Sequence, residues 1–353
     1  MKKYVLITGS GGLIGSDSVE FFIKKKFYII GIENNYRKFF FGKDGSITKR
    51  NNYLLKNYKN YICNNFNLKN LNLTKNVFKN YKSKIKIIIH SAAQPSHDWA
   101  IKNPLLDFDI NARSTLNLLE CFKNYCPEAK FIYLSTNKVY GDNPNKLNFY
   151  ENKYRYDVKK NSSHYNGINE KFSIDNNIHS LFGASKLSAD IYVQEYGKNF
   201  NLNTVCFRGG CLTGENHSGA ELHGFLSYLV KCSILKKKYK IIGYKGKQVR
   251  DNIHSSDLIN CFWEYCKNPK KGEVYNIGGG RQNSCSIIEI LNMIEKKLKL
   301  KIKTKIIKKN RVGDHQWWIT DFSKFKKDYP NWKIKKNLET IIDEMIYNYK
   351  KEF

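Results

Sequence analysis

Several things are scarce or missing in this chain, and each absence excludes a class of protein. No apolar run approaches the roughly 18 to 20 residues of a membrane-spanning helix, so no membrane partner is expected. The opening Met1-Lys2-Lys3 and the run Tyr4 to Thr8 imitate a signal peptide only briefly, because a glycine cluster stops the run. The 9 cysteines are odd in number and form neither a CxxC pair nor a His/Cys zinc spacing. No zinc site and no metal are expected, the length of the chain excludes a disulfide miniprotein, and the cysteines are expected as reduced thiols of a cytoplasmic protein. Internal repeats and low-complexity linkers are missing too. Acidic residues are few, 31 Asp and Glu against 61 Lys and Arg, for a net charge of +30. The excess is nearly all lysine and is spread along the chain, from Lys24-Lys25-Lys26 through Lys236-Lys237-Lys238 to Lys299–Lys309. Such scatter reads as solvated faces, not one designed patch, so no nucleic-acid partner is expected. A basic field still steers small anions.

What is present is a globular composition. With 353 residues, 41% of them hydrophobic and 14% aromatic, the chain can bury the core of one large domain and a smaller lobe. Short β-branched runs at Tyr4–Thr8, Tyr28–Ile32, Lys86–His90, Lys130–Ser135 and Thr204–Arg208 alternate with helical periodicity at Gly12–Lys25, Ile110–Tyr125 and Gly183–Phe200. That alternation predicts an α/β fold with a Rossmann-type doubly wound parallel sheet. The aromatic segment Asn34–Asn60, with Phe39-Phe40-Phe41-Gly42, reads as an insertion over a bound ligand. Beyond Arg208 the pattern predicts a smaller α/β lobe: a helix over Leu222–Lys236 and strands at Lys240–Gly243 and Glu273–Ile277. The expected division is 1–208 for dinucleotide binding, with 250–280 returning to it, and 209–353 for substrate. The cleft between such lobes is the default ligand site.

Thr8-Gly9-Ser10-Gly11-Gly12-Leu13-Ile14-Gly15 follows the first strand and opens a helix. Glycine suits a tight turn, a close approach of backbone to pyrophosphate and close helix–strand packing, and the free amides of the helix start bind phosphate. In this context Gly9, Gly12, Leu13, Ile14 and Gly15 are expected to bind a dinucleotide. Glu33 ends the second strand and Asn34 follows it. A carboxylate there accepts from the ribose hydroxyls and repels a 2′-phosphate, favouring NAD over NADP, with Arg37 as the residue that argues the other way.

Together with the motifs below, these residues resemble the extended short-chain dehydrogenase/reductase family, the sugar-nucleotide epimerases and dehydratases, over essentially the whole chain. The resemblance implies NAD as cofactor, a nucleotide-sugar partner and a homodimer or homotetramer. It places Asn65 near the adenine, Ser91-Ala92-Ala93 under the cofactor, and Asn111 as organiser of the central helix. It puts Thr136, in Leu134-Ser135-Thr136-Asn137-Lys138-Val139-Tyr140-Gly141-Asp142, on the reacting sugar oxygen. Leu181-Phe182-Gly183-Ala184-Ser185-Lys186 matches the family's Tyr-x-x-x-Lys helix except that Phe182 stands at the tyrosine. Phenylalanine has no proton to exchange, whereas Lys186 can still hold the nicotinamide ribose and lend positive charge. Candidates for the missing base are Thr136 with Lys138, His97, Tyr165, or a water held by Lys186.

Dehydratases of the family carry two acids after the threonine; here Asn137 and Lys138 stand there, which disfavours elimination. The Ser-Thr-Asn-Lys-Val-Tyr-Gly-Asp segment, the Phe-Phe-Gly insertion and the Gln94 loop are most similar to members that epimerise C2 of a CDP-linked sugar, so a CDP-sugar is the favoured substrate. A second reading stays open: a nucleotide-sugar-binding protein that kept the fold and lost the chemistry. Arginine is rare among the basic residues and grips phosphate bidentately. By the resemblance, Arg250 and Arg311 clamp the diphosphate, and Asp314 holds ribose hydroxyls or orients Arg311. Gln94, Asn137, Arg208 and Asn216 complete the expected substrate contacts. For Asn216 helix capping is an equal explanation, and Trp317-Trp318 either line the nucleobase or pack.

Overall fold

The computed structural model describes residues 2–221, 223–311 and 313–352; the Leu222 start of a predicted helix and Val312 in the Arg311 motif lie outside them. Two compact units form, one from 1–139, 181–208 and 259–275, the other from 140–180, 209–258 and 276–353. The division differs from the expected one in residues 250–258 and 276–280, which stay with the second unit, and in residues 140–180, which also belong to it. Their hairpin, Phe149–Glu151 with Tyr156–Val158, is tied there by Tyr156 N to Lys247 O at 3.0 Å and by the Arg281 guanidinium on Asp157 at 2.9 and 3.0 Å.

The first unit is built on the strands β1 (Tyr4–Thr8), β2 (Tyr28–Ile32), β3 (Tyr61–Asn64), β4 (Ile85–His90) and β5 (Lys130–Thr136), followed by Asn203–Gly209 and Glu273–Ile277. The seven strands lie in the order Glu273–Ile277, Asn203–Gly209, β5, β4, β1, β2, β3. β1 pairs in parallel with both β2 and β4, so the order reverses there, and ligands of doubly wound sheets bind outside the carboxyl ends at such a switch point. Runs such as Ile85-Lys86-Ile87-Ile88-Ile89-His90 are covered on both faces, which is why they read as continuous apolar segments. β3 escaped the sequence reading because Tyr61-Ile62-Cys63-Asn64 is short and half exposed, an edge strand without a buried run.

Helices α1 (Leu13–Lys24), α2 (Tyr36–Gly45), α3 (Thr48–Asn57), α4 (Leu71–Tyr81), α5 (His97–Lys102), α6 (Pro104–Phe108), α7 (Ser114–Tyr125) and α8 (Ser180–Asn199) complete this unit but for the segment 259–275. The insertion is therefore built mainly as two helices, α2 and α3. Leu118, Phe122, Phe131, Ile88 and Val193 share one buried cluster. The central helix differs from the continuous Ile110–Tyr125 helix expected: Asp109–Arg113 is a π-helical turn before α7.

In the second unit the strand Val249–His254 pairs antiparallel with Ser284–Ser286 and parallel with Trp317–Trp318 and Cys211–Thr213. Helices Phe225–Ile234, Ile287–Leu298 and Leu338–Glu352 enclose Leu229, Ile290 and Ile341. No helix among the described residues is long and apolar enough to cross a membrane, and none of the 9 cysteines forms a disulfide.

At Gly15 a Cβ would stand 2.0 Å from the Gly9 carbonyl oxygen, so only glycine lets α1 close on the turn. Gly15→Ala is expected to cost about 1–3 kcal/mol as an overpacking substitution and to lower bound NAD. A denaturant midpoint and the NAD content of the purified variant both at wild-type values would contradict this packing.

Candidate active site

The glycine turn bends at Gly9, with φ +66°, where a Cβ would meet the Ala92 amide at 2.9 Å. Gly12 precedes α1, which opens with neither a side-chain cap nor an acid in its first turn. The amides of Leu13 and Ile14 thus leave the positive end of the helix dipole for an anion. Opposite, Ser91 Oγ donates to Thr8 O at 2.7 Å and Thr8 Oγ1 accepts from Ala92 N at 3.2 Å, which fixes the Ser91-Ala92-Ala93 loop beside the turn. Glu33 accepts three backbone amides, Gly11 N at 3.0, Asn34 N at 3.0 and Asn35 N at 2.8 Å. Its carboxylate therefore braces the turn before it meets any ribose, and Asn34 Oδ1 accepts from Tyr36 N at 3.2 Å. Arg37, which argued for NADP, stands beside it: burial pulls the guanidinium down to about 10 while Glu33 opposes the shift. Asn65 is exposed immediately after β3.

Asn111 lies in the π-helical turn and is 1% exposed. Its Oδ1 accepts from Gln94 N at 2.9 Å, and its Nδ2 lies 3.1 Å from Gln94 O, 3.1 Å from Asp107 Oδ1 and 3.0 Å from Ser185 Oγ. One amide thus joins the loop after β4, α6 and α8. Gln94, expected on the substrate, belongs to this network instead. Its Nε2 donates to Asp107 Oδ1 at 2.7 Å and to Ser96 O at 2.8 Å, and its Oε1 accepts from Ser96 N, so a buried amide is fully partnered. Burial pushes the Asp107 carboxyl up to about 6 against the hydrogen bonds from Ser185 and Gln94.

Thr136 ends β5 half-buried, its hydroxyl 3.4 Å from Asn137 Oδ1 and accepting from Lys138 N at 3.3 Å. Asn137 is buried at the start of a short 3₁₀ turn. On α8, Lys186 donates from Nζ to Leu134 O at 2.8 Å and lies 4.2 Å from the centre of the Tyr133 ring. Burial lowers its ammonium to about 7, with Asp190, Cys206 and Asp107 opposing. Phe182, one turn earlier, is buried and stands edge-to-face against His97, ring centres 5.1 Å apart.

Arg208, expected on substrate, is a buried structural cation. Its Nη2 and Nε donate to the Asp190 carboxylate at 2.8 and 3.1 Å, and Ser135 Oγ donates to the same carboxylate. Asp190 escaped the sequence reading, although the step Phe182, Lys186, Asp190 puts all three on one helix face and could have revealed it. Asp107 and Ser185 carried no such signal.

In the second unit Arg250 is 8% exposed, with Nη1 on Val249 O at 2.6 Å and Nη2 on Asp314 Oδ1 and the His315 carbonyl. Asp314 therefore orients Arg250, where the alternative expectation named Arg311. Arg311 is half-buried. Asn216 sits in a turn after Cys211–Thr213 and caps no helix, because the next helix opens at Phe225 behind Gly224. Trp317 and Trp318 are wholly buried, their indole nitrogens on Asp157 Oδ1 at 3.1 Å and Thr320 Oγ1 at 3.0 Å, so they pack. Tyr165, a candidate base, lies in this unit with the Arg281 guanidinium 3.9 Å over its ring.

Residues 5–278 match the model of the NAD dependent epimerase/dehydratase family. The chain belongs to that family. Over 299 residues it is 32% identical to CDP-paratose 2-epimerase of Salmonella typhi, covering 82% of this chain and 83% of that one. The fold is similar to the crystal structure of dTDP-glucose 4,6-dehydratase from Bacillus anthracis in complex with NAD, at TM-score 0.77, 22% identity and coverage of 99% and 97%. It is also similar to UDP-glucose 4-epimerase with UDP-glucose from Thermotoga maritima, at TM-score 0.79, 21% identity and 99% coverage of each chain. NAD is the family's cofactor, and the glycine turn, the uncapped α1 and the Ser91 loop fit a dinucleotide.

Two outcomes follow from the buried charges. Arg208→Met leaves Asp190 without its cation and is expected to cost about 3–5 kcal/mol in urea unfolding; a loss below 1 kcal/mol would show the pair to be dispensable. Lys186 has its folded-state value near 7 against an ordinary 10.5. Between these the unfolded chain binds more protons, so this residue makes stability rise with pH from about 7 upward, with its full penalty below 7. Lys186→Met should remove that slope in denaturation curves recorded from pH 6 to 9.

Proposed function

We propose that this enzyme of the sugar-nucleotide epimerase/dehydratase family is an epimerase acting on a CDP-linked sugar, interconverting a CDP-paratose and CDP-tyvelose pair. The observation that carries the reading is the end of β5. There Thr136 is followed by Asn137 and Lys138, so no carboxyl group stands beside it to eliminate water, while Lys186 is held on the neighbouring Leu134 carbonyl. Similarity to the Salmonella typhi enzyme supports the substrate class.

In this reading Gly9, Gly12, Leu13, Ile14 and Gly15 would hold the NAD pyrophosphate, with Glu33, Asn34 and Asn65 on the adenosine side and Ser91, Ala92, Ala93 and Lys186 on the nicotinamide side. NAD, when bound, accepts a hydride from the sugar carbinol and returns it to the opposite face. Thr136 positions the reacting oxygen by a hydrogen bond, and Lys186 contributes positive charge near it. Arg250, aimed by Asp314, and Arg311 grip the diphosphate. A dimer would use α8, where Leu181, Ile191 and Tyr192 expose an apolar stripe.

Phe182 favours a second reading, a protein that binds NAD and nucleotide sugar without turnover. Mass spectrometry of ligands released from the purified protein, with chromatography of CDP-paratose incubations, separates the two. Bound NAD with CDP-tyvelose formation is the expected result, and bound NAD without turnover on any nucleotide sugar would leave only the second reading. Thr136→Val is expected to lower kcat about 10²-fold, the order seen when one catalytic hydrogen bond is removed. Arg250→Lys should mainly raise KM, by roughly tenfold, because an ammonium cannot keep the Asp314 and His315 contacts and also reach a phosphate oxygen.

A further inference from the structure

Phe182 raises a question that the rest of the site answers: which group takes the proton of the sugar hydroxyl? The first unit contains two histidines, His90 and His97. His90 is buried between Thr8 Oγ1 at 2.7 Å and Thr115 Oγ1 at 2.9 Å, and burial beside Lys186 holds it neutral, down to about 3. Both of its ring nitrogens are engaged, so it braces β4 against β1 and α7. Tyr133 lies beside Lys186 but is a core residue whose burial keeps the phenol protonated. Lys186 is itself 3% exposed, with Nζ on a carbonyl. The Thr136 hydroxyl is no base without help.

His97 differs from all of these. It opens α5, which Ser96 caps by accepting from Trp99 N, and it is half-buried, hence within reach of a ligand. Its imidazole stands edge-to-face on the ring that occupies the tyrosine position, 5.1 Å between centres at 77°. Two supports fix it there. Behind it, Gln94 and Asp107 lock the loop that precedes α5. Beside it, Trp99 Nε1 donates to Phe40 O at 2.7 Å, and its ring packs on Phe39 and Phe40, so the α2 insertion clamps α5 from the other flank. The charged groups on the elements around it are Asp98 and Lys102 on its own helix, Asp107 on α6, Arg37, Lys38, Lys43 and Asp44 on α2, and Lys186, Asp190, Glu195 and Lys198 on α8.

We infer that His97 is the catalytic base and acid of this site, replacing the phenol that Phe182 cannot supply. The inference rests on the epimerase reading above. In the forward step the imidazole takes the carbinol hydroxyl proton as the carbon gives its hydride to the bound nicotinamide, leaving a keto sugar and an imidazolium. In the return step the hydride goes to the opposite face of the carbonyl carbon and the imidazolium gives its proton to the oxygen. The imidazole thus acts as base in one direction and as acid in the other, and ends the cycle in its starting state.

The test compares wild type with His97→Ala, His97→Gln, Phe182→Tyr and the double variant His97→Ala/Phe182→Tyr. Both His97 variants should retain NAD and fall about 10² to 10⁴-fold in kcat on CDP-paratose, with KM changed little. The double variant should recover at least tenfold over His97→Ala, because a phenol again stands one turn from Lys186. Independently of turnover, the His97 imidazole resonance, assigned by its loss in His97→Ala, should change its titration midpoint when CDP-paratose binds. An active wild type with His97→Ala within threefold of it, or a resonance that ligand leaves unmoved, would overturn the inference and leave the epimerase reading standing. A wild type that holds NAD yet converts no nucleotide sugar would overturn both.

Discussion

One carboxylate holds the catalytic edge of the first unit together. Asp190 receives two N–H groups of Arg208 from the strand Asn203–Gly209, the Ser135 hydroxyl from β5, and the Gln194 amide from its own helix. It is fully buried, where an unpaired charge would be prohibitive. The bonds therefore fix three elements in one register, and the two residues to which the proposed reading gives the chemistry are direct neighbours of the fixed points: Thr136 follows Ser135, and Lys186 lies one helical turn before Asp190. Positioning of this kind is what a site needs from its scaffold, since errors of an ångström cost large factors in rate.

The same carboxylate sets the electrostatics of Lys186. Burial alone would drive the ammonium to shed its proton, and Asp190 and Asp107 counter it so that the group titrates near neutrality. A second polar belt, Thr8, His90, Thr115 and Asn111, runs from β1 through β4 to the central helix. The π-helical turn at Asp109–Arg113 makes that belt possible: the extra residue in the turn aims Asn111 at the loop after β4 and at Ser185 on α8 together. The dinucleotide end and the catalytic end thus share one hydrogen-bonded frame.

The phenylalanine at the tyrosine position lies beside that frame and takes no side-chain part in its hydrogen bonds. Phe182 removes a proton carrier, yet its neighbours Ser185, Lys186 and Asp190 keep their partners, so the substitution changes the chemistry available without loosening the helix. The aromatic insertion belongs to the same adjustment. Phe39, Phe40 and Trp99 form a packed cluster against the start of α5, giving a short helix that would be marginal alone the support that holds an imidazole in place.

The sequence by itself determined the doubly wound fold, the dinucleotide turn and the loss of the tyrosine. These are local signals: β-branched runs buried on both faces, glycines where a Cβ cannot fit, and a residue type at a fixed helical spacing. It did not reveal the edge strand β3, which buries too little to leave a pattern, nor the roles of Gln94 and Arg208. Both of these carry polar groups suited to a ligand, and only the three-dimensional arrangement shows that Asp107, Ser96 and Asp190 occupy them. Asp314 on Arg250, and His97 on Phe182, were likewise decided by tertiary structure. Partners 64 and 85 residues apart in the chain leave no mark on local sequence, because hydrogen bonds and ring contacts are satisfied in space.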